Sequence, residues 1–350
     1  MELVPRLIAW ELTGACNLEC VHCRASATKT PSSDELSTEE AKHLIDDIAS
    51  FAKPIIILSG GEPLVRDDVY EIAKYGMDKG LRMVLATNGI LVTREVAKRL
   101  KDAGIRRVSI SIDGASAKMH DEFRGLHGAF DGALRGMKTL KEAGLSLQIN
   151  TTITKRNLDE LPKILDLALE LSADALHIFM LVPTGRGEVL AGEEVSPEEY
   201  ERVLNWLYDA QKKAKIQLKA TCAPHYFRIM YQRAKHGARV ELKKEGFSAM
   251  TKGCLAGTGF CFISRTGEVY PCGYLPVLAG DIRRQSFWEI WRSSKVFIEL
   301  RDGSRLKGKC ARCEFRRVCG GCRARAYAVT GDYLDEEPYC IYQPGGAKRG

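Results

Sequence analysis

No stretch of this 350-residue chain holds the roughly 20 consecutive apolar residues that a membrane-crossing helix needs. The opening run, MELVPRLIAWELTG, lacks the basic start and long apolar core of a secretory signal. No run of basic residues is long enough to suggest a nucleic-acid tail, although 52 Lys and Arg against 45 Asp and Glu leave a net charge of +7. That surplus fits ordinary solubility or an anionic partner such as a small polyacid. With 45% hydrophobic residues, the composition is that of an ordinary globular protein, and a cytoplasmic location is expected. Cysteine is abundant. Twelve of them in a reducing compartment point to metal binding before disulfides.

The chain has room for one large domain or two moderate ones. From Leu7 to about Leu181, short apolar runs alternate with amphipathic segments. Strands are predicted at Leu7–Leu12, Ile55–Ser59, Arg82–Thr87, Val108–Ile112, Leu147–Thr152 and Leu176–Leu181. Helices are predicted over Thr38–Phe51, Asp68–Lys79, Arg94–Ala103, Phe130–Ala143 and Asp159–Leu171. Ser37 and Glu40 form a capping-box pattern before the first helix. Gly80, Gly104 and Gly144 stand where a left-handed C-cap favours glycine. Repeated β-α units imply an α/β fold with a parallel sheet. Six such units are too few to close an eight-strand barrel, so an open, partial barrel is expected, with ligands at the carboxyl ends of its strands. After Pro183–Gly187 the texture changes. Ser196, Pro197 and Glu199 start a helix that runs to about Ala214. From Cys254 to Cys340 the chain is dense in cysteine and glycine and poor in apolar runs, so cross-links or metal must hold it. A boundary is expected between 190 and 250.

Cys16, Cys20 and Cys23 follow the first strand in the run CNLECVHC. Three thiolates on a four-iron cluster leave one iron without a protein ligand, free to hold a small molecule and pass it an electron. Zinc is the alternative, but its sites commonly use C-x2-C pairs and four ligands, and His22 is poorly placed beside Cys23 to complete such a set. Ser59-Gly60-Gly61-Glu62-Pro63 ends the second strand. Its glycines permit close backbone approach, and Glu62 offers a carboxylate. Thr87-Asn88-Gly89 and Ser111-Ile112-Asp113-Gly114 end the third and fourth strands.

Together these segments resemble the signature of radical S-adenosylmethionine (SAM) enzymes. The resemblance implies a [4Fe–4S] cluster on Cys16, Cys20 and Cys23 that chelates SAM and cleaves it to a 5′-deoxyadenosyl radical. It also implies SAM contacts from Gly60, Gly61, Glu62, Ser111 and Arg124, with Asn150 a further candidate and His22 against the adenine. The C-terminal cysteines resemble the SPASM extension of that family, which carries auxiliary iron–sulfur clusters. Cys254 precedes Gly267 and Cys272. Cys310-x2-Cys313-x5-Cys319-x2-Cys322 and Cys340 follow, the last gap being two residues where the family usually has three. By analogy Cys254, Cys261, Cys272 and Cys322 would hold one auxiliary [4Fe–4S] cluster, and Cys310, Cys313, Cys319 and Cys340 the other. A zinc-ribbon module built from the same C-x2-C pairs is the alternative. Cys222 is left over, either a small core residue or, with His225, a group touching substrate or iron. The implied division is a radical SAM partial barrel over 1–190, a helical connector over 191–250 and a SPASM domain over 251–350.

Several stretches resemble the branch of this family that makes heme from siroheme. They are the start from Pro5, Cys23-Arg24-Ala25-Ser26, Pro183–Gly187, CLAGTGFCFIS from Cys254, Pro271–Leu275 and Pro338–Pro344. The short lead into the first strand favours the members that decarboxylate Fe-coproporphyrin III over the didecarboxysiroheme deacetylase or heme d1 types. In such members two propionates become vinyl groups. The implied partners are SAM, an anionic porphyrin and an electron donor such as a ferredoxin or flavodoxin. Arg186, Arg228 and Arg233 are candidates to hold propionates. A peptide-modifying SPASM enzyme is the alternative, set back by the absence of room before the first strand for a peptide-binding domain. A protein that only transfers electrons is a third reading, opposed by the open-iron motif.

Overall fold

The computed structural model describes residues 3–235 and 253–345. Its ten strands are β1 Leu7–Glu11, β2 Ile55–Ser59, β3 Arg82–Thr87, β4 Arg107–Ser111, β5 Ser146–Ile153, β6 Ala175–Met180, β7 Gln217–Thr221, β8 Phe260–Ile263, β9 Glu268–Tyr270 and β10 Gly280–Asp281. They form one sheet in the order β10-β9-β8-β1-β2-β3-β4-β5-β6-β7. From β8 to β7 every pairing is parallel, and β9 and β10 fold back antiparallel at the edge. The architecture is the open α/β partial barrel expected, extended by two parallel strands. β7 adds a strand to the connector, which is therefore not purely helical, and β8 brings the cysteine-rich region into the same sheet. One sheet thus crosses both expected boundaries. The expected connector end at residue 250 lies outside the described residues.

Local rules act where the sequence announces them. Ser37 and Glu40 close a reciprocal capping box on the helix Thr38–Phe51, and Ser196 and Glu199 do the same for the helix Pro197–Lys213, each satisfying backbone donors at a helix start. Side chains alternate across each strand. On β1, Ile8 and Trp10 face the helices while Leu7 and Ala9 face the barrel interior. Ile8 is fully buried and sits in register between Ile56 of β2 and Cys261 of β8.

Because Ile8 packs both halves of the sheet together, Ile8→Ala should cost roughly 2–5 kcal/mol. The denaturant midpoint of the reconstituted protein should fall accordingly. Leu169→Ala, at a 39% exposed position, should stay within about 0.5 kcal/mol of the parent.

Candidate active site

The loop after β1 wraps its three cysteines in hydrogen-bond donors. The Leu18 N–H reaches Cys16 Sγ at 3.4 Å, the Ala27 N–H reaches Cys23 Sγ at 3.4 Å, and Arg124 Nη1 reaches Cys20 Sγ at 3.7 Å. Donors and a cation of this kind favour thiolate over thiol. Burial acts the other way and pushes the Cys16 thiol up to about 11, so this set gains most from a metal, which deprotonates a coordinating thiol outright. The donor set fits an iron–sulfur centre.

The Gly60-Gly61 turn seats this loop. Gly61 N–H donates to Thr13 O at 2.7 Å and Glu62 N–H to Ala15 O at 2.8 Å. A Cβ on Gly61 would lie 2.2 Å from Ala15 O, so only glycine allows that approach. Glu62 lies behind the turn. Its carboxylate is fully buried and absent from the cavity wall. It accepts from Thr87 Oγ1 at 2.7 Å, Leu64 N–H at 3.1 Å and Asn88 N–H at 2.8 Å. Burial raises its pKa to about 6. Glu62 therefore ties the second-strand loop to the third-strand loop. Asn88 continues the chain of contacts, donating through Nδ2 to Asn17 Oδ1 at 2.7 Å.

Arg124 lines the cavity, but its guanidinium is already engaged. Nη2 lies 2.5 Å from Asp113 Oδ2, Nη1 faces Cys20, and the buried Nε has no protein partner. His22 Nε2 stands 3.3 Å from the same Asp113 oxygen, with its ring edge-on to Phe123. Burial lowers its pKa to about 4.

A cavity of about 520 Å³ opens onto this triad, within the usual range for small-molecule sites. Gly60, Gly61, Ser111 and Asn150 line it, and so do Cys222, Cys254, Cys272 and Cys322. Cys261 does not. It lies on β8 between Phe260 and Phe262, which face the cavity, so strand alternation turns it into the helix-facing core. Cys261 is thus not brought together with Cys254, Cys272 and Cys322. Cys310, Cys313, Cys319 and Cys340 line a second, smaller cavity with His225 and Glu337. Among the described residues no three His, Cys, Asp or Glu side chains converge on a single-ion site.

The three candidate arginines are engaged elsewhere. Arg186 donates to Cys20 O at 3.2 Å and Ala27 O at 2.6 Å, pinning the triad loop. Arg228 pairs with Glu201 beside the second cavity. Arg233 grips Asp209 at 2.8 and 2.9 Å. None of them lines the main cavity. What does line it is a polar row that sequence reading missed apart from Ser111 and Asn150. Ser111, Asn150, His177 and Lys219 stand in register across β4, β5, β6 and β7. Gln148 supports the row, donating to Asn150 Oδ1 at 2.8 Å and lying 3.0 Å from His177 Nδ1. Arg107 lines the same wall. The signal was present as polar residues two apart on β5 (Gln148, Asn150, Thr152).

Residues 10–168 match the radical SAM superfamily, and residues 254–314 match the SPASM iron–sulfur cluster-binding domain. The solved enzyme anSMEcpe with bound AdoMet superposes over 96% of this chain and 94% of its own with a TM-score of 0.68 at 20% identity, a likeness of fold. The chain belongs to the radical SAM family with a SPASM extension, and such domains bind a [4Fe–4S] cluster with SAM and auxiliary iron–sulfur clusters. Within that family it groups with the heme synthases. It is 62% identical over 99% of both chains to the AdoMet-dependent heme synthase of Methanosarcina barkeri. It is 53% identical, over 97% of this chain and 93% of the other, to that of Nitratidesulfovibrio vulgaris. The Fe-coproporphyrin III synthase of M. barkeri is more distant, at 36% over 95% of this chain and 87% of its own.

If Gly61 seats the triad loop, Gly61→Ala should displace it. The reconstituted variant should lose about four irons per chain, one [4Fe–4S] cluster, and with them the release of 5′-deoxyadenosine from SAM under dithionite.

Proposed function

We propose that this enzyme is an oxidative decarboxylase that converts two propionates of Fe-coproporphyrin III to vinyl groups, giving heme b. In this reading Cys16, Cys20 and Cys23 hold the SAM-binding cluster, and Gly60, Gly61 and Ser111 border SAM. Cys254, Cys272 and Cys322 serve one auxiliary cluster, and Cys310, Cys313, Cys319 and Cys340 the other. When bound, these groups supply a hydrogen-abstracting radical and an acceptor for an electron. Loss of a hydrogen atom from the propionate β-carbon and of carbon dioxide leaves a vinyl group and one surplus electron, so a site that faces both a radical source and an acceptor suits the reaction. A ferredoxin or flavodoxin is the proposed source of reducing electrons.

The observation that carries the reading is the polar row inside a cavity shared by two cysteine sets. Lys219 supplies a cation, and Asn150 and Ser111 supply neutral donors for a carboxylate. Gln148 Nε2 lies 3.0 Å from His177 Nδ1; an imidazole that accepts there keeps its proton on Nε2 and can donate from it. Burial, with the Lys219 and Arg107 charges, holds His177 well below its usual pKa and therefore neutral. Burial also lowers the Lys219 ammonium to about 8, and a carboxylate beside it would favour the charged form. The close likeness to proteins named AdoMet-dependent heme synthase supports the same substrate class.

Incubation of the reconstituted enzyme with Fe-coproporphyrin III, SAM and dithionite should give two successive losses of carbon dioxide by mass spectrometry. Unchanged porphyrin alongside active SAM cleavage would sink the proposal. Lys219 loses its charge above its pKa, so kcat/KM should fall as pH rises through about 8. Lys219→Met should remove that limb and lower kcat/KM about 10–100-fold, the worth of one charged hydrogen bond.

A further inference from the structure

We propose that Cys222, and not Cys261, is the fourth cysteine of the cavity-facing auxiliary cluster, completing a set with Cys254, Cys272 and Cys322. All four line the same cavity, and Cys222, Cys254 and Cys272 pack against the cluster of buried residues that contains Cys322. They reach it from separate parts of the chain. Cys222 follows β7, Cys254 precedes β8, Cys272 follows β9, and Cys322 caps the helix Arg323–Thr330. Four cysteines are what a fully ligated [4Fe–4S] centre requires.

The backbone at Cys222 is built for this place. Its φ is +56°, a left-handed conformation that non-glycine residues seldom adopt. Such a residue persists only where its surroundings hold it. Here the carbonyl of Cys222 accepts from Tyr200 Oη at 2.9 Å and from Arg325 Nη1 at 3.1 Å. Cys261 has the opposite character. It continues a regular strand in register with Ile8, is fully buried, and packs with Ile8, Ile263 and Phe297 in the apolar core. With this exchange the cluster cysteines divide into one set of three and two sets of four, and the cysteine left outside is the one in the core.

The exchange has a chemical consequence. A cluster bound by four thiolates has no vacant iron, so the auxiliary centre facing the cavity exchanges electrons with the substrate and does not ligate it. The one open iron is then at Cys16, Cys20 and Cys23.

The test uses the full chain, reconstituted anaerobically. Cys261→Ala should keep the parent's iron and sulfide content and its auxiliary EPR signals. Cys222→Ala should lose between one and about four irons per chain and change the signal of one auxiliary cluster, with the triad cluster still present. Unchanged iron and spectra in Cys222→Ala, or iron loss in Cys261→Ala alone, would overturn the assignment. Should Cys222→Ala fail to fold, diffraction at the iron absorption edge from the reconstituted parent decides. Iron bonded to Cys222 Sγ supports the proposal, and its absence there refutes it.

Discussion

Arg325 is a buried cation on which three regions of the chain converge. It is fully buried, a costly placement that partners must offset; its Nε has no hydrogen bond and faces Glu194 Oε1 at 3.9 Å. Nη2 donates to Leu181 O at 2.9 Å and Met180 O at 3.4 Å, at the end of β6. Nη1 donates to Cys222 O at 3.1 Å and reaches Glu337 Oε1 at 3.3 Å. The other carboxylate oxygen of Glu337 lies 2.6 Å from His225 Nε2. Burial alone would raise the Glu337 carboxyl; His225 and Arg325 overcome it and hold it down to about 2. Removing one partner of such a network strands a buried charge, at a cost of about 3–5 kcal/mol. The barrel end, the turn at Cys222 and the last cysteine-bearing segment are fixed to one another through this guanidinium.

The pattern recurs at each cysteine set. Arg124 reaches Cys20 Sγ at 3.7 Å, Arg323 reaches Cys310 Sγ at 3.8 Å, and Arg325 stands behind the carbonyl of Cys222. Arg124, Arg323 and Arg325 are all buried. Groups of thiolates in a low-dielectric interior repel one another, and a fixed guanidinium offsets that repulsion. Some of the chain's cations therefore serve internal groups, so net charge is a weak guide to an external polyanion.

The β-α rhythm up to β6, the capping boxes at Ser37 and Ser196, and the triad loop were legible in the sequence, because each depends on residues close together in the chain. β7 was not legible. Its sequence, QLKAT, reads as polar because Lys219 and Thr221 face a cavity. β8 was hidden in a cysteine-rich run, and its parallel pairing with β1 spans some 250 residues. Cys261 looked like a ligand from its position between Cys254 and Cys272; the two-residue alternation of β8, which turns it to the helix-facing core, was not legible there. Glu62 and Arg186 have the right chemistry for ligands, and only the folded chain shows the protein partners they also hold. Residue type indicates what a side chain can bind, and packing determines what it does bind.

The same reasoning explains why the polar row lies where it does. An inner barrel face of apolar residues would close up, as the outer face does around Ile8, Ile56 and Ile149. Ser111, Asn150, His177 and Lys219 on four neighbouring strands prevent that, since polar side chains are costly to bury against an apolar face. The row is linked internally through Gln148, so its members keep their spacing. A cavity held open by buried polarity favours a guest that brings acceptors and negative charge. One whose walls also carry two cysteine sets suits the proposed decarboxylation, which begins with an electron delivered and ends with an electron removed.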